Sequence, residues 1–101
     1  MVEAGVRSLS KAQIRHCPYH RPDWNVAARL AIDWWRDRGR EGRLEDFALE
    51  TADAKLDAPT QWAAGSFFVE PIWINGSLLG NGQHRVCAMK RAGVPRCLVE
   101  T

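Results

Sequence analysis

The stretch 75–85 constrains this chain more than any other, because it combines a tight turn, a short strand and a glycine-rich helix start. Asn75–Gly76 is a strong short-range signal for a β-hairpin. The segment Gly80–Gly82 follows, and a helical pattern then runs from about Gln83 to Ala92. This order predicts a hairpin whose second strand leads directly into a helix.

The start of this helix carries groups that suit an anion. Backbone N–H groups in a first helical turn point outward and carry partial positive charge. Glycines let an anion approach the backbone closely, and Arg85 adds a full charge. We therefore expect a phosphate-binding site; the alternative is an ordinary helix start with a surface His and Arg. The candidate binding residues are Gly80, Asn81, Gly82, Gln83, His84 and Arg85.

Two common phosphate motifs do not fit this segment. The G-x-x-x-x-G-K-[ST] spacing of a P-loop is absent. The glycine spacing and the distal acid of a dinucleotide fingerprint are also missing. Asn81 is the expected N-cap of the helix, and Gly93 followed by Pro95 is its expected stop.

Two further helices are predicted in the first half of the chain. Asp23 is a good N-cap for a helix over 24–38, where apolar residues recur at intervals of three and four. A second helical pattern covers 43–56 and is expected to end before Pro59. Residues 60–64 have room for one further helical turn.

Short strands are expected on both sides of these helices. They are Ser10–His16, Phe67–Val69, Pro71–Ile74, Ser77–Leu79 and Arg96–Glu100. The order of elements predicts an α/β or α+β fold, with a small mixed sheet and packed helices. A chain of 101 residues is expected to form a single domain, 1–101.

Charge is unevenly distributed along the chain. The net charge of +2 is too small to prove a nucleic-acid partner. Residues 80–96 hold four basic residues and no acid, whereas 41–57 hold six acids against two basic residues. The sequence therefore predicts a basic C-terminal face and an acidic middle, and a solvated surface accounts for either one equally simply.

The cellular setting is predicted from the cysteines and the N-terminus. Three cysteines in a chain without an apolar leader favour a cytoplasmic protein with reduced thiols. No apolar stretch approaches the ~18 residues needed to span a bilayer, so no membrane association is expected.

The C-terminal third resembles the core of the ParB/sulfiredoxin-like superfamily, over about residues 65–100. Members show a strand, a glycine turn, a helix opened by DG-x-HR or GERR, and a final strand. Gln83–His84–Arg85 is most similar to the DGQHR signature of DNA modification proteins, within the ParB-like nuclease group. The segments that carry the resemblance are Glu70–Ile74, Asn75–Gly76, Gly80–Arg85, Ala88 and Ala92–Pro95.

The resemblance implies a nucleotide- or DNA-linked role in regulation, segregation or modification. By that resemblance Gly82, His84 and Arg85 would contact the phosphates of CTP or ATP, with Gln83 beside them. Gln83 stands where sulfiredoxins carry their reactive Cys, so sulfinic-acid reduction is not expected. Asn81 replaces the usual Asp, so chemistry that needs that acid is not expected either.

Other cations and metal-type ligands are secondary candidates. His20, Arg21, Lys90 and Arg91 could reach the phosphate, or could simply lie on a solvated surface. His16–Cys17–x–x–His20 contains zinc-type ligands, but its spacing is not that of a standard finger, and no metal site is predicted.

An enzyme remains an open alternative to a binding domain. Glu70 directly precedes the strand that leads to the site, and it is a candidate catalytic residue together with His84. The reaction would be that of a metal-dependent nuclease or a nucleotide-dependent phosphotransferase using Mg²⁺. Acids on the second helix could also hold Mg²⁺, although an exposed acidic face explains them equally well.

A tryptophan stripe marks the first helix. Trp24, Trp34 and Trp35 recur at helical spacing, which favours core packing, and base stacking or a homodimer contact are the alternatives. A non-catalytic protein-interaction module, dimeric through this Trp-rich helix, is therefore a third interpretation of the chain.

Overall fold

Helices and short strands alternate along the chain, which the computed structural model describes over residues 1–9, 19–38, 43–76 and 78–101. Those ranges contain four α-helices and four strands, with a short 3-10 turn after the first strand. The fold is mixed α+β, which confirms the predicted class. In chain order the elements are β1 (Val2–Gly5), α1 (Trp24–Arg38), α2 (Leu44–Asp53), α3 (Ala58–Val69), β2 (Trp73–Asn75), β3 (Leu78–Asn81), α4 (Gln83–Ala92) and β4 (Arg96–Val99).

β1 and β4 form an antiparallel pair that joins segments from opposite ends of the sequence. Val2 lies opposite Val99, and Gly5 lies opposite Arg96. The sequence predicted β4 but not β1, because four residues give too little alternation to recognise. The strand predicted at Ser10–His16 lies outside the described residues.

β2 and β3 form the predicted antiparallel hairpin, with Gly76 in the turn at a φ of 63°. The hairpin adjoins β4 through Glu100. The Glu100 N–H donates to the Ile72 carbonyl at 2.8 Å, and the Glu100 carbonyl accepts from the Ile74 N–H at 3.0 Å. The hairpin is therefore fixed beside the β1–β4 pair, and β3 leads the chain from there into α4.

α1 begins and ends where the sequence predicts. The Asp23 carboxylate accepts a hydrogen bond from the Val26 N–H at 3.2 Å, so Asp23 is the N-cap. Trp24 and Trp34 are buried, with their rings beside Phe67 and Phe68 respectively, while Trp35 is partly buried. A homodimer contact through α1 would thus have Trp35 at its surface, but neither Trp24 nor Trp34.

α2 is shorter than the predicted 43–56. It ends at Asp53 and is followed by a turn in which Lys55 has a left-handed φ of 54°. That backbone conformation is incompatible with a continuing α-helix. The acidic first turn of α2, with Glu45 and Asp46, is present as predicted.

The prediction for the next segment was wrong. The sequence predicted a strand at Phe67–Val69 and one helical turn at 60–64, but α3 is continuous through both. Asp57 is its N-cap, and the Asp57 carboxylate accepts from the Thr60 N–H at 2.8 Å. Pro59 lies in the first turn, where a helix tolerates proline. Pro59 therefore belongs to the start of α3, whereas α2 has already ended at Asp53.

Burial on more than one side explains why α3 lacks a visible helical period. Phe67 is fully buried, with its ring 6.1 Å from that of Trp24 in α1. The Phe68 ring lies 5.2 Å from that of Trp34 and 5.0 Å from that of Phe47 in α2. A helix that packs against two others needs apolar residues on several faces, and its sequence then resembles that of a strand.

α4 has the predicted bounds and stops at Gly93, which has a left-handed φ of 72°. The Gly93 N–H donates to the Lys90 carbonyl, and the Val94 N–H donates to the Met89 carbonyl at 3.0 Å. This pair of bonds is a Schellman motif. Val94 and Met89 are both buried, so the motif also anchors the end of α4 in the core.

Candidate anion-binding site

A cavity of about 220 Å³ lies at the N-terminus of α4. Its wall is formed by the six predicted residues Gly80–Arg85, together with Tyr19 and Glu70. The structure thus brings Glu70 to the predicted phosphate site. It also adds Tyr19, which the sequence did not single out as a site residue.

Gly82 shapes the base of this cavity. It is the N-cap residue of α4 and has a φ of 93°, a conformation that favours glycine. A Cβ at this position would lie only 2.7 Å from Ile72 Cγ1, so there is no space for a side chain. Glycine at this position therefore lets the chain pass close to Ile72 as it enters α4.

Gly82, the N-cap residue of α4, has no side chain with which to cap the first turn. The first intrahelical bond runs from the Val86 N–H to the Gly82 carbonyl at 2.9 Å. The N–H groups ahead of Val86 therefore lie at the positive end of the helix dipole. They belong to residues that line the cavity, among them Gln83 and Arg85.

Asn81 does not cap α4, which corrects the expectation from sequence. It is the last residue of β3, and its side-chain N–H donates to the Pro71 carbonyl at 3.2 Å. The turn from β3 into α4 needs a left-handed residue at the cap position, and Gly82 supplies it. Asn81 instead ties β3 to the segment before β2.

Arg85 is 5% exposed, and its guanidinium is held in place by α3. Nη1 donates to the Ser66 carbonyl at 3.0 Å and to Ser66 Oγ at 3.3 Å. Burial lowers the pKa of Arg85, and the nearby Glu70 carboxylate opposes that shift. An arginine stays protonated under such perturbation, so the cavity wall carries a fixed positive charge.

Glu70 gives the same cavity a negative charge. It is the exposed C-cap residue of α3, and its carboxylate acts electrostatically on Arg85. Among the described residues that line the cavity, Glu70 is the one carboxylate. Glu70 therefore weakens the attraction of the cavity for an anion that binds alone. For an anion that binds together with a metal ion, Glu70 supplies an oxygen ligand to the metal.

Aromatic rings form one side of the cavity. The Tyr19 ring meets that of His84 edge-on, with centroids 6.0 Å apart, and lies 5.1 Å from the ring of Trp62. The Trp24 indole N–H donates to the Tyr19 carbonyl at 2.9 Å, which fixes this segment against α1. Sequence reasoning missed Tyr19 and Trp62, because no local pattern places a loop residue beside α3.

The secondary cations do not line this cavity. His20 and Arg21 are exposed immediately after Tyr19. Lys90 lies near the other end of α4, where its Nζ donates to the Leu9 carbonyl. Lys90 also lines a separate cavity of about 500 Å³. Arg91 is exposed in the last turn of α4.

The larger cavity has weaker anion chemistry than the one at the start of α4. It is lined by Arg7, Lys90 and a largely apolar set of residues. It lies at the C-terminal end of α4, where the helix dipole disfavours an anion. The smaller cavity is thus the better candidate despite its size.

Neither a metal-binding group nor a membrane-spanning helix is found in the described part of the chain. No group of three or more described His, Cys, Asp or Glu side chains is arranged to hold a metal ion. The candidate ligands His16 and Cys17 lie outside the described residues. Over the same ranges, no helix is both long and apolar enough to cross a bilayer.

Comparisons with known protein families, with curated proteins and with solved structures find no match to this chain. The fold and the geometry of the cavity therefore carry the functional argument. They define a small α+β protein with a cavity at the N-terminus of a helix, walled by a buried arginine, one carboxylate and an aromatic side.

Proposed function

We propose that this protein binds the phosphate of a nucleotide or nucleic acid in the cavity at the start of α4. The role would be DNA-associated, in regulation, segregation or modification, as the resemblance to ParB/sulfiredoxin-like proteins implies, and in the reducing cytoplasm. CTP and ATP are the nucleotides that this resemblance favours.

One observation carries the proposal: the first turn of α4, which starts at a glycine, and the buried Arg85 line the same cavity. Helix N–H groups at a glycine-rich turn and a rigid guanidinium are complementary to phosphate oxygens. The geometry is fixed before any ligand arrives, since Ser66 holds Arg85 and Ile72 restricts Gly82. Such preorganisation lowers the entropic cost of binding.

Calorimetric titration with pyrophosphate, CTP, ATP, GTP and short DNA tests the proposal. Gln83→Glu adds a negative charge at the exposed first residue of α4. It should weaken phosphate binding by about tenfold, while the helix itself tolerates or prefers an acid there. Arg91→Gln lowers the net charge by the same amount at the far end of α4 and should change affinity little. Absence of binding to every probe, or equal weakening by both substitutions, would contradict the proposal.

Glu70 supports a second candidate, a metal-dependent nuclease or nucleotide-dependent phosphotransferase. A lone carboxylate beside a phosphate cavity is suited to a Mg²⁺ ion that the phosphate also binds, because Mg²⁺ in proteins often uses one carboxylate plus substrate oxygens. The residues present fit this use through Glu70 and the phosphate itself. When bound, Mg²⁺ would neutralise charge on the phosphate.

The Glu70→Gln variant separates the two candidates. For a pure binding site it should tighten pyrophosphate by a few-fold, about what loss of one neighbouring like charge gives. For the enzyme it should abolish Mg²⁺-dependent hydrolysis of ATP or plasmid DNA without loss of fold. Glu45→Gln on α2 removes the same charge from a carboxylate that does not line the cavity, and serves as the control.

A further inference from the structure

Trp62 exposes 46% of its surface beside the aromatic side of the cavity. Its ring lies 5.1 Å from that of Tyr19 and 6.3 Å from that of Trp24, which it meets edge-on. Tyr19 itself lines the cavity. The fold therefore holds the Trp62 indole at the surface, where it contacts a residue that lines the candidate phosphate site. The rings of Tyr19 and Trp24 support this indole.

Trp73 lies close to a different wall of the same cavity. It is in β2 and exposes 52% of its surface. Gly80 in β3 packs against it, since a Cβ on Gly80 would lie 3.6 Å from Trp73 Cε3. Gly80 also lines the cavity. A second exposed indole, that of Trp73, therefore also contacts a residue that lines the phosphate site.

We infer that the ligand is a single-stranded nucleic acid, with a phosphate in the α4 cavity and a base stacked on each of Trp62 and Trp73. This inference rests on the proposed phosphate site. Exposed tryptophans stack on bases of any sequence, because every base has a π-face. Two exposed indoles on different elements, each in contact with a residue of the cavity wall, match a strand, which supplies several bases along its phosphates.

Other phosphate ligands fit this arrangement less well. A mononucleotide supplies one base for two aromatic surfaces. A duplex keeps its bases stacked on each other and offers their edges and its phosphates, so it gains little from exposed indoles. A single strand uses the cavity and both indoles together.

The test measures affinity for an oligothymidylate of about ten nucleotides, a length typical of single-strand sites. The other probes are thymidine monophosphate, pyrophosphate and a duplex of the same length. Trp62→Ala and Trp73→Ala are compared with Trp62→Phe and Trp73→Phe, which keep an aromatic ring. Leu49→Ala removes another exposed apolar side chain, from α2, as the control. Thermal unfolding checks each variant, and the Phe pair keeps the test valid if an Ala variant does not fold.

The inference predicts that the oligonucleotide binds more tightly than the monophosphate or the duplex. It further predicts that each Ala substitution weakens oligonucleotide binding by about tenfold, while the Phe variants and Leu49→Ala retain most of it. If pyrophosphate binds but the Trp variants leave oligonucleotide affinity unchanged, or if the duplex binds as tightly, the inference is overturned and the phosphate site stands. If pyrophosphate and every other probe fail to bind, the proposed function fails with it.

Discussion

Gly82 and Ile72 are in such close contact that a Cβ on Gly82 would lie 2.7 Å from Ile72 Cγ1. Ile72 is fully buried beside the hairpin, and Gly82 begins α4 with a φ of 93°. This one contact fixes where the helix starts relative to β2 and β3. Glycine at this point lets the chain turn from β3 into α4, whose first turn lines the cavity.

Gly82→Ala should therefore destabilise the protein by about 2–4 kcal/mol, from left-handed strain plus the clash with Ile72. Gly93→Ala is the matched control at the other end of α4, where φ is 72° and no atom of the described residues lies within 4 Å of the added Cβ. It should cost about 1–2 kcal/mol, from strain alone. Urea unfolding measures both, and equal costs would contradict the close contact.

Arg85→Lys should destabilise the fold by about 1–3 kcal/mol, although the charge is kept. Lysine lacks the planar fork that lets Nη1 reach both the carbonyl and the hydroxyl of Ser66. The same change at exposed Arg91 should stay within about 0.5 kcal/mol. Chemical denaturation of the two variants tests this, and a neutral Arg85→Lys would show that the contact with Ser66 does not stabilise the structure.

Asp57→Ala should weaken α3, and more so at neutral than at acid pH. Hydrogen bonding by Thr60, through its hydroxyl and then its N–H, lowers the pKa of Asp57. The stabilisation is therefore present above the ordinary aspartate pKa and is lost as the pH falls through the lowered value. Thr60 also accepts from the Asp23 N–H at 2.9 Å, so this cap connects the starts of α1 and α3.

The measurement is unfolding free energy between about pH 6 and about pH 2 for wild type, Asp57→Ala and Asp57→Asn. The gap between wild type and the Ala variant should narrow as the pH falls. Asparagine also caps helices but does not titrate, so its gap to the Ala variant should stay nearly constant. A pH-independent gap for wild type would show that the Asp57 carboxylate does not stabilise the fold through its ionised form.

Cys97 should resist alkylation in the folded protein. It is fully buried, and burial raises its pKa to about 12, although the positive charges of Arg85 and Arg96 act in the opposite direction. At about pH 8 only about one part in ten thousand is then thiolate, the reactive form. Cys87 is partly buried and should react before Cys97. Peptide mapping after iodoacetamide treatment measures both rates, and comparable labelling of both cysteines without denaturant would contradict the burial of Cys97.

Local signals were enough to predict α1 and α4, because each helix has a residue in its sequence that marks its start or its end. Asp23 starts α1, and the left-handed Gly93 ends α4. α3 was predicted only as one turn at 60–64, because its apolar residues face two neighbouring helices, which removes the polar face by which a helix is recognised. The sequence does hold a start signal for α3, since Asp57 precedes Thr60 by three residues with Pro59 between them.

The candidate site also has one part that the sequence could predict and another that it could not. Gly80–Arg85 could be predicted because one continuous segment forms most of the cavity wall. Its aromatic side could not, since the contact between Tyr19 and Trp62 depends on tertiary packing between a loop and α3. The opposite error concerns Lys90 and Arg91, which are close to the site in sequence but lie toward the other end of a ten-residue helix.

Backbone NMR during titration with pyrophosphate tests the central claim most directly. If the first turn of α4 binds phosphate, the largest and saturable amide shifts should fall on Gly82, Gln83 and Arg85, with Lys90 and Arg7 little changed. Gln83→Glu should suppress these shifts. Shifts centred on Arg7 and Lys90, at the larger cavity, or no saturable shifts at Gly82–Arg85, would contradict the assignment of the phosphate site.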